Sequence, residues 1–572
     1  MKSFRLLLAV GACFSPLVSA VDTLVDVGYA KYQGSVIDSR LKVSAWKGVQ
    51  YAAPPTGNLR FAAPQDPIVT GTINATRHGA TCPPSRPDDW TISGPNDRFT
   101  IAEDCLYLSV YAPTGARVDS KLPVVVFFQG GGFASQSSAN WDPTDIVADG
   151  QVVFVQFSYR VGVYGFLNGA AVKAGGGDVN AGLRDQIKLL EWVNKHITQF
   201  GGNPDNVVLD GVSAGGSSVA LMIAADTGKK PLFAGGIMES GGWVTMRPAD
   251  QGEEQYQCLL KDKDCAGASD GLACLRALNE SAIRSSNCWF NPNIDGDLYT
   301  DSLVNLFAQG KYAKVPTVMG SCSEEGTKYN APETLDNPID ALTWVVTDKD
   351  NSLSNNSKSI LNDLYMKPTQ PTFPGKGRYW RHAAVAIADI GTHCITRNIQ
   401  NYLARDGVPT YNYKYAVLDP SDEAVGYGAW HTVNAYAFWG VNRTDGGEPP
   451  SYFTTNAPII KTVRAYWTSF IRNLDPNTDR ANKAVEWTPY AGKDSRERLF
   501  IQTNNTKMER MSPAQALRCD VVRPMSDHLG RPPAKGVVTE LDGKLAAKVK
   551  SASESTDLSG GKKHGRDFVG YY

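Results

Sequence analysis

At 572 residues the chain is long enough for one large domain or several small ones. Its 57 lysines and arginines balance 58 aspartates and glutamates, so no net charge recruits nucleic acid or an anionic membrane. The apolar share of 42% is ordinary for a soluble globular protein.

Met1-Lys-Ser-Phe-Arg5 is basic and runs into apolar residues from Leu6 to Val18. Small residues at Val18-Ser19-Ala20 offer a cleavage point before Val21. The pattern predicts a secretory signal peptide over 1–20 and an extracellular product. The run is too short and wrongly flanked for a lasting membrane span, and a buried N-terminal strand is the alternative. No later segment is apolar over the length a bilayer demands, so no integral membrane segment is expected after cleavage.

Export implies an oxidising compartment, where cysteines pair. Of ten cysteines, Cys13 lies in the leader, and the odd remainder leaves at least one thiol free. Zinc spacing is absent, since no CxxC or HExxH occurs, and no metal or cofactor is expected. Sequons at Asn74, Asn279, Asn355, Asn442 and Asn504 suit a secreted, glycosylated surface.

Strand-like runs follow at Pro123–Phe128, Val152–Phe157, Asn206–Leu209, Gly236–Met238, Val315–Met319 and Tyr411–Tyr415. They are short, apolar on both faces and bounded by Gly, Pro or Asn, as buried parallel strands are. Between the second and third, Leu183, Ile187, Leu190, Val193 and Ile197 fall at helical spacing. Strand, helix and strand in succession predict a βαβ crossover in an open, mostly parallel α/β sheet. The domain is expected over 21–525. From about Met525 the chain loses apolar periodicity and is rich in Gly, Ser and charge, which predicts a disordered polar tail over 526–572.

The chemistry gathers around "FGGNPDNVVLDGVSAGG" (200–216). Glycine weakens helices and strands alike, so Gly211, Gly215 and Gly216 crowd Ser213 for geometry. Either Ser213 caps a helix after a tight turn, or Gly-x-Ser-x-Gly is a strained elbow that lifts a serine hydroxyl above the sheet edge. A serine nucleophile needs a base, an orienting acid and an oxyanion hole. Gly130, Gly131 and Gly132 follow a buried strand, and no Gly-Lys-Ser/Thr follows to make a phosphate loop. An oxyanion loop fits, with N–H donors from Gly131, Gly132 and Ala214.

"EDCLYLSVYAP" (103–113), "QGGGF" (129–133), "YRVGVYGFL" (159–167) and the elbow together resemble the type-B carboxylesterase and lipase family. The resemblance runs from about residue 25 to about 520. It implies an α/β-hydrolase fold, with catalytic residues in the order serine, acid, histidine. His382, His393, His431 and His528 lie after a candidate acid. His382 sits in a helical pattern and His528 begins the tail. His431, in "GYGAWHTVNAYAFWG", resembles the family's Gly-x-x-His segment, with His393 as runner-up. In "VMGSCSEEGTKYN" the resemblance places Glu325 as the acid and leaves Glu324 as a solvated neighbour or alternative. It also implies a supporting role for Ser240 in "MESGG". The same resemblance implies bridges Cys82–Cys105, Cys265–Cys274 and Cys394–Cys519, and leaves Cys258, Cys288 and Cys322 without a template. Arg60 with Glu103, and Arg160 with Asp185, resemble the family's structural ion pairs.

Gln129 stands where the family often has an aromatic residue or His. Val212 and Asn434 stand where acids are common. These departures bear on pocket polarity. The stretch between Cys82 and Cys105, "PPSRPDDWTISGPNDRFTIAED", is short and polar where the family's lipases carry a longer amphipathic lid. The position of Trp90 does not suit a choline-site tryptophan. The reading is a secreted serine carboxylesterase acting on soluble small-molecule esters through an acyl-enzyme on Ser213. Alternatives are a triacylglycerol lipase, a pathway-specific esterase or acyltransferase of secondary metabolism, and a non-catalytic adhesion or scaffold member. The last class loses the serine or histidine, and this chain has both.

Overall fold

The computed structural model describes residues 23–85, 100–135, 141–242, 246–328, 331–347, 354–444, 447–492 and 494–526. The predicted signal peptide, Trp90 and most of the stretch after Cys82 lie outside these residues. So do His528 and nearly all of the predicted polar tail.

One sheet of eleven strands organises the described chain. In chain order these are β1 (Ser35–Asp38), β2 (Val43–Gln50), β3 (Tyr107–Pro113), β4 (Leu122–Phe128), β5 (Val153–Phe157) and β6 (Gly202–Val212). Then follow β7 (Gly235–Glu239), β8 (Thr317–Cys322), β9 (Thr410–Tyr415), β10 (Glu497–Ile501) and β11 (Lys507–Arg510). Their spatial order is β11-β10-β9-β8-β7-β6-β4-β5-β3-β2-β1. From β5 through β10 every neighbouring pair is parallel. The edges are antiparallel. A separate three-stranded sheet holds Leu24–Asp26, Lys31–Gln33 and Thr72–Asn74.

The strands are apolar on both faces because both faces are covered. Val124, Val126, Phe128, Val207 and Leu209 turn to one layer, packed with Leu183, Leu189, Leu190 and Val193 of helix α1 (Ala181–His196). The alternate residues Val125, Phe127, Val208, Val212 and Ile237 turn to the other. There they meet Val463, Trp467, Phe470 and Ile471 of helix α4 (Ala457–Asn473). The period of two in each strand sorts side chains between the layers. This is the α/β-hydrolase architecture.

Helix α1 buries more than its predicted stripe: Asp185, Gln186 and Trp192 are buried as well. Asp185 faces inward because Arg160 meets it with two hydrogen bonds of 2.8 and 2.7 Å, and the Arg160 backbone N–H adds a third at 3.0 Å. The second predicted pair also forms, with Arg60 held on Glu103 and on the carbonyls of Leu275, Arg276 and Leu278. The structure carries bridges Cys82–Cys105, Cys265–Cys274 and Cys394–Cys519. Cys258 joins Cys288, and Cys322 is the free, buried thiol. All five sequon asparagines are exposed.

Removing one partner of a buried bidentate pair leaves the other charge without compensation. Arg160→Met is expected to cost about 3–5 kcal/mol of unfolding free energy, and Arg160→Met with Asp185→Leu markedly less. Urea unfolding of the single and double variants measures both.

Candidate active site

Ser213 sits between the last residue of β6 and the first of helix α2 (Ala214–Ala224), with φ 60° and ψ −125°. A non-glycine residue holds that conformation only where its surroundings enforce it. Here close backbone approach enforces it. A Cβ on Gly215 would lie 1.9 Å from the Phe128 carbonyl oxygen at the end of β4. One on Gly211 would lie 2.4 Å from the Gly215 carbonyl carbon. Strand, turn and helix can close this tightly only without side chains there. All eleven residues of α2 are buried, so the helix is locked against the sheet.

The Gly130–Gly132 loop leaves β4 directly beside the elbow: a Cβ on Gly130 would lie 3.1 Å from Ser213 Cβ. The Gly131 carbonyl accepts from Ala134 N and Ser135 N, both at 3.0 Å. Gly131 and Gly132 adopt φ of 113° and 64°, and their N–H groups have no hydrogen-bond partner among the described residues. The Ala214 N–H is the first of α2 and has no intrahelical acceptor. The glycine loop thus begins against the serine, and the Ala214 N–H follows it directly in the chain.

Two further segments approach from the carboxyl ends of β8 and β9. Nε2 of His431 lies 2.8 Å from Ser213 Oγ, and Nδ1 makes a short hydrogen bond to Glu325. The other Glu325 oxygen accepts from Ser240 Oγ and from the Cys322 backbone N–H, both at 2.6 Å. Exposure falls along this line: the His431 side chain is 26% accessible and that of Glu325 2%. Burial opposes ionisation of Glu325. His431 and the Ser240 hydroxyl, with nearby His393, outweigh it and hold the carboxyl below the usual range. Ser240 itself sits at φ 49°, and Thr432, directly after His431, at φ 70°. Positive φ at a β-branched residue is rare and marks a tightly determined turn.

His393 lies elsewhere. It bonds the Cys322 carbonyl at 2.9 Å and Asp389 at 3.1 Å, behind the acid-bearing turn. His382 bonds the Pro368 carbonyl. Glu324 departs from the expected solvated neighbour. Its side chain is 12% accessible, pairs with Arg381 at 3.4 Å and accepts from Ala429 N at 2.9 Å. With Glu324 N donating to the Ala429 carbonyl at 3.0 Å, it stitches the acid turn to the histidine turn. Its position beside Glu325 was the only sequence sign of this. Glu239, next to Ser240 in the same motif and without a sequence sign of its role, is fully buried.

A carboxyl whose folded-state value is lowered adds stability above its unfolded value and loses it as pH falls through the folded one. For Glu325 the unfolded reference is 4.5. The stability difference between wild type and Glu325→Gln is therefore expected to be constant above about pH 5.5 and to shrink below about pH 4.5. Urea unfolding across that range measures it.

A family model described as the carboxylesterase family matches residues 21–520. Secreted lipase 1 of Botryotinia fuckeliana is 30% identical over 516 residues, covering 78% of this chain and 84% of that protein. Lipase 1 of Geotrichum candidum is 34% identical over 367 residues, covering 54% of this chain but only 65% of that protein. The crystal structure of Aspergillus niger EstA superposes with a TM-score of 0.82 at 34% identity, covering 89% of this chain and 99% of that chain. With that match across nearly the whole described chain, around a serine, a histidine and a glutamate joined at one sheet edge, the protein belongs to the carboxylesterase family.

Proposed function

We propose that the protein is a secreted serine carboxylesterase in which Ser213 attacks the ester carbonyl, His431 acts as base and Glu325 orients it. The observation that carries this reading is the unbroken hydrogen-bond line from Ser213 Oγ through His431 to Glu325. A serine hydroxyl is a poor nucleophile at neutral pH, so Nε2 of His431 takes its proton as the Oγ–carbon bond forms. The tetrahedral oxyanion is held by the Gly131, Gly132 and Ala214 N–H groups, which are aimed at charge that develops only in the transition state. His431 then returns the proton to the departing alkoxide, leaving an acyl group on Ser213. A water molecule deprotonated by His431 attacks the acyl carbon, and the carboxylic acid leaves as Ser213 Oγ regains its proton. Glu325 keeps the imidazole tautomer fixed and stabilises the imidazolium at each step. The leader-like N-terminus and the secreted relative support export.

Soluble short- or medium-chain esters are the proposed substrates. A lid that responds to an oil surface needs an apolar inner face, which is costly to expose in water at roughly 25 cal/mol per Å². The polar "PPSRPDDW" stretch offers little of it. A triacylglycerol lipase is the second reading, favoured by the lipase names of the two curated relatives.

Ser213→Ala is expected to lower turnover of a nitrophenyl ester by about a thousandfold or more, with unchanged thermal unfolding. Equal turnover in the variant would remove Ser213 from the mechanism. Rates on tributyrin, followed across its solubility limit, are expected to saturate without a break. A steep rise only above saturation would replace the esterase reading by the lipase one.

A further inference from the structure

Behind the three reacting side chains lies a buried polar network that the proposed mechanism does not use. Its centre is Glu239, the last residue of β7, which is fully buried. The Glu239 carbonyl accepts the Ser213 backbone N–H at 2.9 Å. Its side chain accepts from Asn434 Nδ2. Asn434 is three residues past His431, on the same tight turn, and is itself buried. The residue after Glu239 is Ser240, whose hydroxyl holds Glu325. The dipeptide Glu239-Ser240 thus contacts the serine, the acid and the histidine-bearing turn at once.

The orientation of Asn434 is determined from both sides. Its side-chain oxygen accepts from the Cys322 thiol at 3.3 Å, which leaves its NH₂ group for Glu239. Burial pushes the Cys322 thiol up, so it stays protonated and able to donate. Asp210 stands on β6 three residues before Ser213, on the same sheet face as Glu239 and within its reach. Burial raises both carboxyls; Asp210 raises Glu239 further, whereas the contact with Glu239 lowers Asp210. Neither Asp210 oxygen nor Glu239 Oε1 has a hydrogen-bond donor among the described residues. Around the pair stand Asn434, the Tyr413 hydroxyl, the Trp467 indole and Cys322, and no cation pairs with either acid among the described residues. A proton carried on one of the two carboxyls would supply a donor between them.

We propose that Glu239 and Asn434 are positioning residues that fix the His431 turn relative to Ser213, with Asp210 holding the Glu239 carboxyl in place. The proposal rests on Ser213 and His431 acting as nucleophile and base. Loss of the Asn434 contact frees the segment that follows the strained Thr432, and a displacement of the order of 1 Å at a proton-transferring base costs up to about a hundredfold in rate. Because Glu239 touches no substrate, the loss falls on kcat rather than KM.

The test compares Glu239→Leu, Glu239→Gln, Asn434→Leu and Ser213→Ala, with active serines counted by stoichiometric phosphonylation. Glu239→Leu and Asn434→Leu are expected to lower kcat per titrated serine by about ten- to a hundredfold, with KM on a nitrophenyl ester changed by less than about twofold. Glu239→Gln keeps an oxygen acceptor for Asn434 and is expected to recover at least about a third of wild-type kcat. A role in packing alone would reduce the fraction of titratable serine and leave kcat per serine intact. That outcome in both leucine variants overturns the proposal. If Glu239→Leu does not fold, the contrast between Asn434→Leu and Glu239→Gln decides on the same criterion. Full activity in Ser213→Ala would instead overturn the functional reading on which the proposal stands.

Discussion

The site depends on one steric fact, the contact of Gly215 with the carbonyl of Phe128. That contact brings the first turn of α2 against the end of β4, closer than any side chain allows. The bend between β6 and α2 then has no room to relax, and Ser213 is left at φ 60° with its hydroxyl at the sheet edge. The same closeness sets the Gly130–Gly132 loop beside the serine, since that loop begins where β4 ends. Parallel strand order supplies the rest. The carboxyl ends of β6, β7, β8 and β9 lie side by side, so the segments leaving them converge in the crevice where open α/β sheets place their ligands.

Depth alone does not set the ionisation of the acids gathered there. Glu325, Glu239 and Asp210 are all buried to nearly the same degree. Glu325 meets the Cys322 N–H, the Ser240 hydroxyl and the His431 ring, and its carboxyl is held low. Glu239 accepts from the Asn434 amide, and burial pushes it up. Two residues that adjoin in the chain, Glu239 and Ser240, therefore serve opposite electrostatic conditions on two sides of the histidine turn. Where donors converge the charged form persists, and where they are missing the proton stays.

Clamping of the acid and histidine turns is shared among modest contacts. Glu324 ties the acid turn to the histidine turn, Trp430 Nε1 bonds Asp422 at 2.7 Å, and Thr432 accepts an unfavourable φ. The bridge Cys394–Cys519 joins helix α3 (Cys394–Arg405) to helix α5 (Pro513–Ser526) behind the acid turn, and His393 there holds the Cys322 carbonyl. Each anchor restricts a loop whose own backbone would otherwise sample many conformations.

Local chemistry made much of this legible in the sequence. Apolar runs bounded by Gly and Pro marked the central strands, because residues buried on both faces leave no polar alternation. Glycines around Ser213 marked the elbow, because only a missing Cβ permits its closeness. His431 and Glu325 came from resemblance, since nothing in spacing ties positions 106 residues apart. Tertiary structure alone decided the rest. It paired Cys258 with Cys288, kept Cys322 free, and turned Glu324 from a solvated neighbour into a link between two turns. It also set Asp210, Glu239 and Asn434 together beneath the serine. Those residues lie on separate strands and a distant turn, and their meeting depends on the order in which strands pair, which no local pattern encodes.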